Sequence, residues 1–362
     1  MKKTLVAIAA LAAFGAQAQS SVTISGGLDA GAQSINYKGN KVAGINGNGT
    51  STSALFVKGS EDLGGGLKAE FLVESDWNTV STNANTGAKT TVASGGDSTL
   101  GNGGTFANGE IKVGLTGNFG TLDLGSPNYA SLTTHVTGQP FGTAIGSGFS
   151  ATSVRLVRAE NAVRYITPTF SGFNAILYKS AKQTKAGTGI ATDTSFSTTL
   201  GAYDQTGVQE VGANYANGPL AVSFTNQKQD NRAVGTGTTE TTYNTLGANY
   251  AIGNAKVYLL NQTKKLSDSS DKTAYTAVSA SYTSGAITVM AQAGTLKDQA
   301  GTNNGKKSTL TGLGADYALS KRTTAYVRYD SIKDEAAVIA ATAVDGSGTT
   351  RTRTAIGMRT AF

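Results

Sequence analysis

Basic side chains recur one residue away from apolar ones in short alternating stretches: Lys58, Lys68, Lys112, Arg164, Lys256, Arg328, Arg353 and Arg359. In an extended strand successive side chains point to opposite faces, so each of these cations lies across the backbone from a face carrying residues such as Val57, Val113, Val163 or Val327. If that apolar face meets hydrocarbon, the cations must face water, because a Lys or Arg turned to lipid at mid-bilayer costs about 2–4 kcal/mol. Fixed positive charge along a narrow wet passage lowers the entry energy of an anion and raises that of a cation. Carboxylates of the same parity are fewer, namely Asp29, Glu70, Glu74, Asp123, Asp316 and Asp330, and several are placed to pair with basic neighbours. Lys58, Lys112, Arg164 and Arg328 are therefore the expected wall charges of an anion-preferring passage, with Arg155 and Arg158 expected to face the same space from a long connection.

Other chemistries find little material. There is no Cys, which removes disulfides, thiolate metal sites and Cys nucleophiles. The single His, His135, next to Ser131 on a polar connection, is poor material for a preorganised triad or a multi-His metal site. No enzymatic activity, cofactor or nucleic-acid partner is expected. A lone loop histidine is ordinarily solvated, and a pH gate at His135 is the minor reading. Gly47-Asn48-Gly49 lacks the GK[ST] ending of a phosphate cradle and reads as turn chemistry. An exported Gly/Asn-rich β-solenoid adhesin is the main rival, but a solenoid needs a repeat of fixed period and none is visible.

The elements that must position the cations are strands. About sixteen alternating runs follow one another from Val22 to Phe362, an even number suited to a single-chain transmembrane barrel. Tight turns at Asp62–Gly66, Asn118–Gly120, Phe170–Gly172, Asn217–Pro219, Ile252–Asn254, Ser284-Gly285 and Ser320-Lys321 alternate with longer polar connections at 38–51, 79–107, 126–158, 186–206, 231–238, 267–270, 300–305 and 335–350. Short turns on one rim and long loops on the other are the arrangement of a barrel with periplasmic turns and extracellular loops. Tyr215, Tyr250, Tyr282 and Tyr317 precede tight turns on the apolar parity and fit an interfacial girdle. At the end of the chain, Thr354, Ile356, Met358, Thr360 and Phe362 share one face, giving an aromatic-terminated strand and making Phe362 the expected assembly signal. At the start, Lys2 and Lys3 precede an apolar run from Leu5 to Phe14 and the small-x-small triplet Ala16-Gln17-Ala18, which reads as a signal peptide cleaved after Ala18. Residues 1–18 are thus expected to be removed and residues 19–362 to form the barrel. Losing Lys2 and Lys3 takes the formal charge from +7 to 28 basic minus 23 acidic, or +5, so the exported chain stays basic.

These residues also carry a resemblance. Gly59-Ser60-Glu61-Asp62-Leu63-Gly64-Gly65-Gly66-Leu67-Lys68-Ala69, Asn161-Ala162-Val163-Arg164-Tyr165, Tyr317-Ala318-Leu319-Ser320-Lys321-Arg322-Thr323 and the terminal Gly357–Phe362 resemble segments of the general porins of Gram-negative bacteria, nearest the β-proteobacterial branch. The resemblance implies an all-β fold, a 16-stranded antiparallel transmembrane β-barrel in the outer membrane. It also implies a homotrimer, passive diffusion of small hydrophilic solutes and ions, contact with outer-membrane lipid and lipopolysaccharide, and a long third loop folded into the pore. Mapped here, that loop covers about Ser126 to Ser153 and places Pro140, Phe141 and Gly142 at the constriction. Family members often carry carboxylates on this loop; here it has none, the nearest being Asp123 and Glu160. A transverse field made by loop carboxylates is therefore not expected in its usual form. Val22, Ile24, Ile356 and Met358 are candidates for the face between subunits.

Overall fold

The computed structural model of the chain describes residues 20–37, 40–77, 106–148, 157–181, 207–232, 238–267, 272–300, 304–334 and 349–362. The expected signal peptide, its cleavage point and Arg155 lie outside these residues.

Period-two alternation produces what it should: one antiparallel sheet that closes on itself. Its strands are β1 (Ser21–Tyr37), β2 (Asn40–Asn46), β3 (Ser53–Gly64), β4 (Leu67–Trp77), β5 (Ile111–Gly117), β6 (Gly120–Ser126), β7 (Ala162–Ile166), β8 (Phe173–Ser180) and β9 (Gly207–Asn217). They continue with β10 (Leu220–Arg232), β11 (Thr238–Ile252), β12 (Ala255–Leu266), β13 (Lys272–Ser284), β14 (Ile287–Asp298), β15 (Lys307–Ala318), β16 (Thr323–Asp334) and β17 (Thr349–Ala361). One helix, α1 (Ala130–Thr137), lies between β6 and β7. Closure is made by β1 against β17, with Gly27 opposite Ala361 and Tyr37 opposite Arg351. Phe362 completes the seam, its backbone N–H donating to Gly26 and its carbonyl accepting from the Gly26 N–H. A closed sheet leaves no edge, which is why strands can cross a bilayer. It also rules out the solenoid.

The seventeen strands make sixteen staves, because β2 and β3 pair with the same edge of β1, at residues 31–37 and 21–27 respectively. Residues 47–52 between them bulge inward. Here the first connection differs from the sequence reading: much of 38–51 is strand, and the loop is displaced to 47–52. Asp29 is the cause. Its carboxylate accepts hydrogen bonds from the Gly49, Thr50 and Ser51 N–H groups, the Thr50 hydroxyl and the Tyr326 hydroxyl, at 2.7–3.2 Å. The Gly/Asn run is thus turn chemistry, folded around a buried internal anion.

The expected parity holds around the wall. Val22, Ile24, Val113, Val163, Val211, Val278, Val327, Ile356 and Met358 are exposed on the outer face, and so are Tyr215, Tyr250, Tyr282 and Tyr317 beside the short turns. Gly218 and Gly285 adopt positive φ of 55° and 59°, which two-residue hairpins require and a side chain resists.

Candidate permeation site

The segment after β6 lies against side chains of inward parity. Ahead of α1, Tyr129 donates its N–H to Val157 and packs edge-on against Tyr178, ring centroids 4.8 Å apart. The Tyr178 hydroxyl donates to the Ala159 carbonyl and accepts the Ala159 N–H, so one wall residue holds both the departure and the return of the loop. Burial pushes the Tyr129 phenol up, keeping it neutral. The helix has no side-chain N-cap of its own, and the inward Glu210 of β9 supplies one. Its carboxylate accepts the Ala130 and Ser131 N–H groups and is fixed by Gln227 Nε2 at 2.7 Å. Negative charge at a helix N-terminus is favourable and satisfies donors the helix itself cannot. Thr134 and Ser223 hydroxyls meet at 2.6 Å, and Asn249 Nδ2 donates to the Thr137 carbonyl at 2.8 Å. Gly247 allows the close approach: a Cβ there would stand 2.0 Å from the Thr134 oxygen.

Beyond α1 the loop runs on along the wall. The Phe141 N–H donates to Gln139 Oε1 at 2.7 Å, and the Gln292 amide donates to the Ser147 carbonyl at 3.1 Å. The Gly146 N–H donates to Asp330 at 3.3 Å, and Ile145 packs with Tyr326 and Ala355. From β9 to β17 the wall is therefore lined by the loop. Among the described residues, Lys58 of β3 and Lys112 of β5 stand on the opposite arc, away from these contacts.

This path sorts the expected site residues. Lys112 stands 3.2 Å from Asp123, and Arg164 binds the same carboxylate through Nε and Nη2 at 3.0 and 2.6 Å while donating to the Asn128 carbonyl at 2.8 Å. Arg158, on the returning loop, approaches Asp76 at 3.7 Å and pairs with Asn128 in a β-bridge. Lys112, Arg158 and Arg164 thus form one network with Asp76, Glu110 and Asp123. Lys58 is exposed, sits over the Phe56 ring at 5.3 Å, and makes no ion pair among the described residues. Register places Lys58 and Lys112 on either side of Leu72 in one row.

Arg328 is different. It faces inward but is only 3% exposed, because Phe141 from the loop covers its guanidinium at 6.0 Å, Tyr326 lies beneath it at 5.6 Å, and Asp316 pairs with it at 2.7 Å. It anchors the loop and does not meet open water as a free wall charge. Phe141 is likewise buried as its cover, while Pro140 and Gly142 beside it stay partly exposed. His135 is also buried, not solvated: burial lowers its pKa to about 4, and a backbone hydrogen bond with Gly142 opposes the shift.

Sequence reasoning missed Glu110, Glu210 and Arg351. The parity of Val211, Ala213 and Tyr215 already turns Glu210 inward, so that signal was present. Nothing local marks its partner.

Two of the wall carboxylates are sunken, although Asp316 is more exposed than Arg328, 25% against 4%, and Asp76 slightly more than Arg158. Asp123 is 3% exposed against 22% for Lys112, and Asp330 is 1% exposed against 25% for its partner Arg353. Those carboxylates sit deeper in the wall than the cations they hold, so the solvent side of each pair is positive.

A closed barrel, apolar outside, charged inside and lined for half its circumference by one of its own loops, is a membrane-spanning pore. The family described as Gram-negative porin matches residues 4–337, and the chain belongs to it. It is 33% identical, across the full length of both chains, to the outer membrane porin protein 32 of Delftia acidovorans. Among solved structures it is similar to the anion-selective porin from Comamonas acidovorans, with a TM-score of 0.75 and 29% identity over 95% of this chain and all of that one. It also shares the fold of a trimer form of the Vibrio cholerae outer membrane protein OmpT, TM-score 0.66 at 16% identity, covering 95% and 99% of the two chains. The protein is an outer-membrane β-barrel channel for small hydrophilic solutes.

Proposed function

We propose that this channel prefers anions, and that Lys58, Lys112 and the exposed edge of the Arg164–Arg158 network carry the preference. The observation behind this reading is that Lys112 and Arg164 are both more exposed than the Asp123 they share, that Lys58 is exposed with no ion pair among the described residues, and that residues 126–153 bring no Asp or Glu. Near a low-dielectric wall, surface charge matters more than the sum of all charges. The similarity to a porin described as anion-selective agrees with it. Arg155 and the edge formed by Pro140 and Gly142 belong to the same proposed constriction.

Three further readings accompany it. Export follows cleavage after Ala18, so the mature chain begins at Gln19. The uncharged outer face of β1 and β17, with Val22, Ile24, Ile356 and Met358, is the proposed contact of a homotrimer. Phosphorylated lipopolysaccharide is the proposed lipid partner.

Liposome swelling tests the selectivity. Small carboxylates should enter faster than amines of equal size, and Lys58→Gln/Lys112→Gln should narrow the difference. Equal rates for both solutes in the unaltered channel would end the proposal.

A further inference from the structure

The outer face of β12–β16 carries a second charge pattern, unconnected with the lumen. Lys265, Lys272, Lys297, Lys307 and Lys333 all share the parity of the lipid-facing residues and are all exposed. At the long-loop rim Lys272 and Lys307 open their strands, and Lys265, Lys297 and Lys333 are next to last in theirs. Register lines them up: Lys265 is directly opposite Lys272, and Lys297 directly opposite Lys307. Like charges facing each other across a strand pair are destabilising. Lys265, Lys272, Lys297 and Lys307 make no ion pair among the described residues, and no Asp or Glu occupies an outward register position on these strands.

Strand length fixes the height of this row. Lys272 and Tyr282 lie ten residues apart on one face of β13, as do Lys307 and Tyr317 on β15. At about 3.3 Å per residue and a tilt of about 40°, that separation spans roughly 25 Å along the membrane normal, the height of an outer-membrane barrel's apolar band. The tyrosines sit by the short periplasmic turns, so the lysines sit among the headgroups of the outer leaflet. Elsewhere outward lysines at this rim are single or neutralised: Lys41 of β2 lies opposite Asn36 and Lys179 of β8 between Val163 and Gln209, with no second lysine across from either, and Lys228 of β10 pairs with Glu240 at 3.3 Å.

We propose that this row is a docking site for the phosphates of the outer-leaflet lipopolysaccharide. From Lys265 to Lys307 is three strand spacings, about 14 Å. A headgroup with one phosphate reaches one lysine pair; a multiply phosphorylated glycolipid bridges both. The inference rests on the lipid partner proposed above but not on anion preference in the lumen.

Native mass spectrometry of the full-length barrel in detergent tests it, with diphosphoryl lipid A, dephosphorylated lipid A and phosphatidylglycerol as probes. The unaltered protein should bind diphosphoryl lipid A most tightly. Lys265→Gln/Lys272→Gln/Lys297→Gln/Lys307→Gln should weaken that binding on the order of a thousandfold, given the contribution of each basic residue at an anionic surface. Single-channel conductance should not change, and the corresponding Lys→Arg variant should bind as the unaltered protein does, which separates lost charge from misfolding. Undiminished binding by the Gln variant, equal binding of phosphatidylglycerol, or dissociation of subunits in place of lipid loss would each overturn the site while leaving the lipid partner standing. Equal binding of phosphorylated and dephosphorylated lipid A by the unaltered protein would remove both.

Discussion

Glu210→Ala is the sharpest perturbation of the loop that lines the lumen. Glu210 is 2% exposed, and its carboxylate accepts from the Ala130 and Ser131 N–H groups and from Gln227. Losing an N-cap acceptor costs about 1 kcal/mol. Losing a partly buried charge on the helix dipole costs about another 1 kcal/mol. Leaving one N–H of the buried Gln227 amide unpaired, its other partner being the Ser131 hydroxyl, costs about 1–3 kcal/mol. The sum, about 3–5 kcal/mol, weakens loop docking by roughly a hundredfold to a few thousandfold, since each 1.4 kcal/mol is tenfold. The barrel itself should survive, because Glu210 keeps its backbone ladder with Gln227 and Tyr178. Single-channel recording reads the result: the Ala variant should show flickering substates where the unaltered channel is quiet, and Glu210→Gln, which keeps an acceptor but not the charge, should fall between. A Glu210→Ala channel with unaltered conductance and noise would refute the assignment of the loop's anchor.

Other outcomes follow from neighbouring geometry. Gly247→Val should push α1 into the lumen, because even a Cβ at this position falls 2.0 Å from the Thr134 backbone oxygen; reduced unit conductance in planar bilayers checks it. Asp29→Ala should destabilise the inward bulge at 47–52 by about 3–5 kcal/mol, the loss of several buried hydrogen bonds to a charged acceptor, seen as a lower temperature for heat-modified gel mobility. His135 should make loop docking acid-sensitive. Its pKa of about 4 lies below the ordinary 6.5, so the docked loop accepts only the neutral ring, and docking strength is complete above about pH 6.5 and lost as pH falls toward 4. Channel noise should rise over that window and stay flat in His135→Gln.

The barrel was legible because alternation is local: each strand announces its own lipid face, and each Gly-containing turn its own rim. Arg328 and Phe141 show where that reading stops. Parity turned Arg328 inward correctly, but the residue that covers it comes from a loop almost two hundred positions away. Helix α1 was invisible for the same reason. Its sequence, rich in β-branched Thr and lacking a local cap, is a weak helix former, and its N-terminus is satisfied by a carboxylate eighty residues downstream. β2 read as loop because its Gly and Asn content hides a strand whose pairing comes from β1.

The central claim is that exposed cations govern a wet tunnel through the bilayer. The zero-current potential of the purified channel under a tenfold potassium chloride gradient tests it most directly. Discrete conductance steps and a potential displaced toward the chloride equilibrium value are expected; a displacement toward the potassium value would mean that the exposed cations do not set the selectivity.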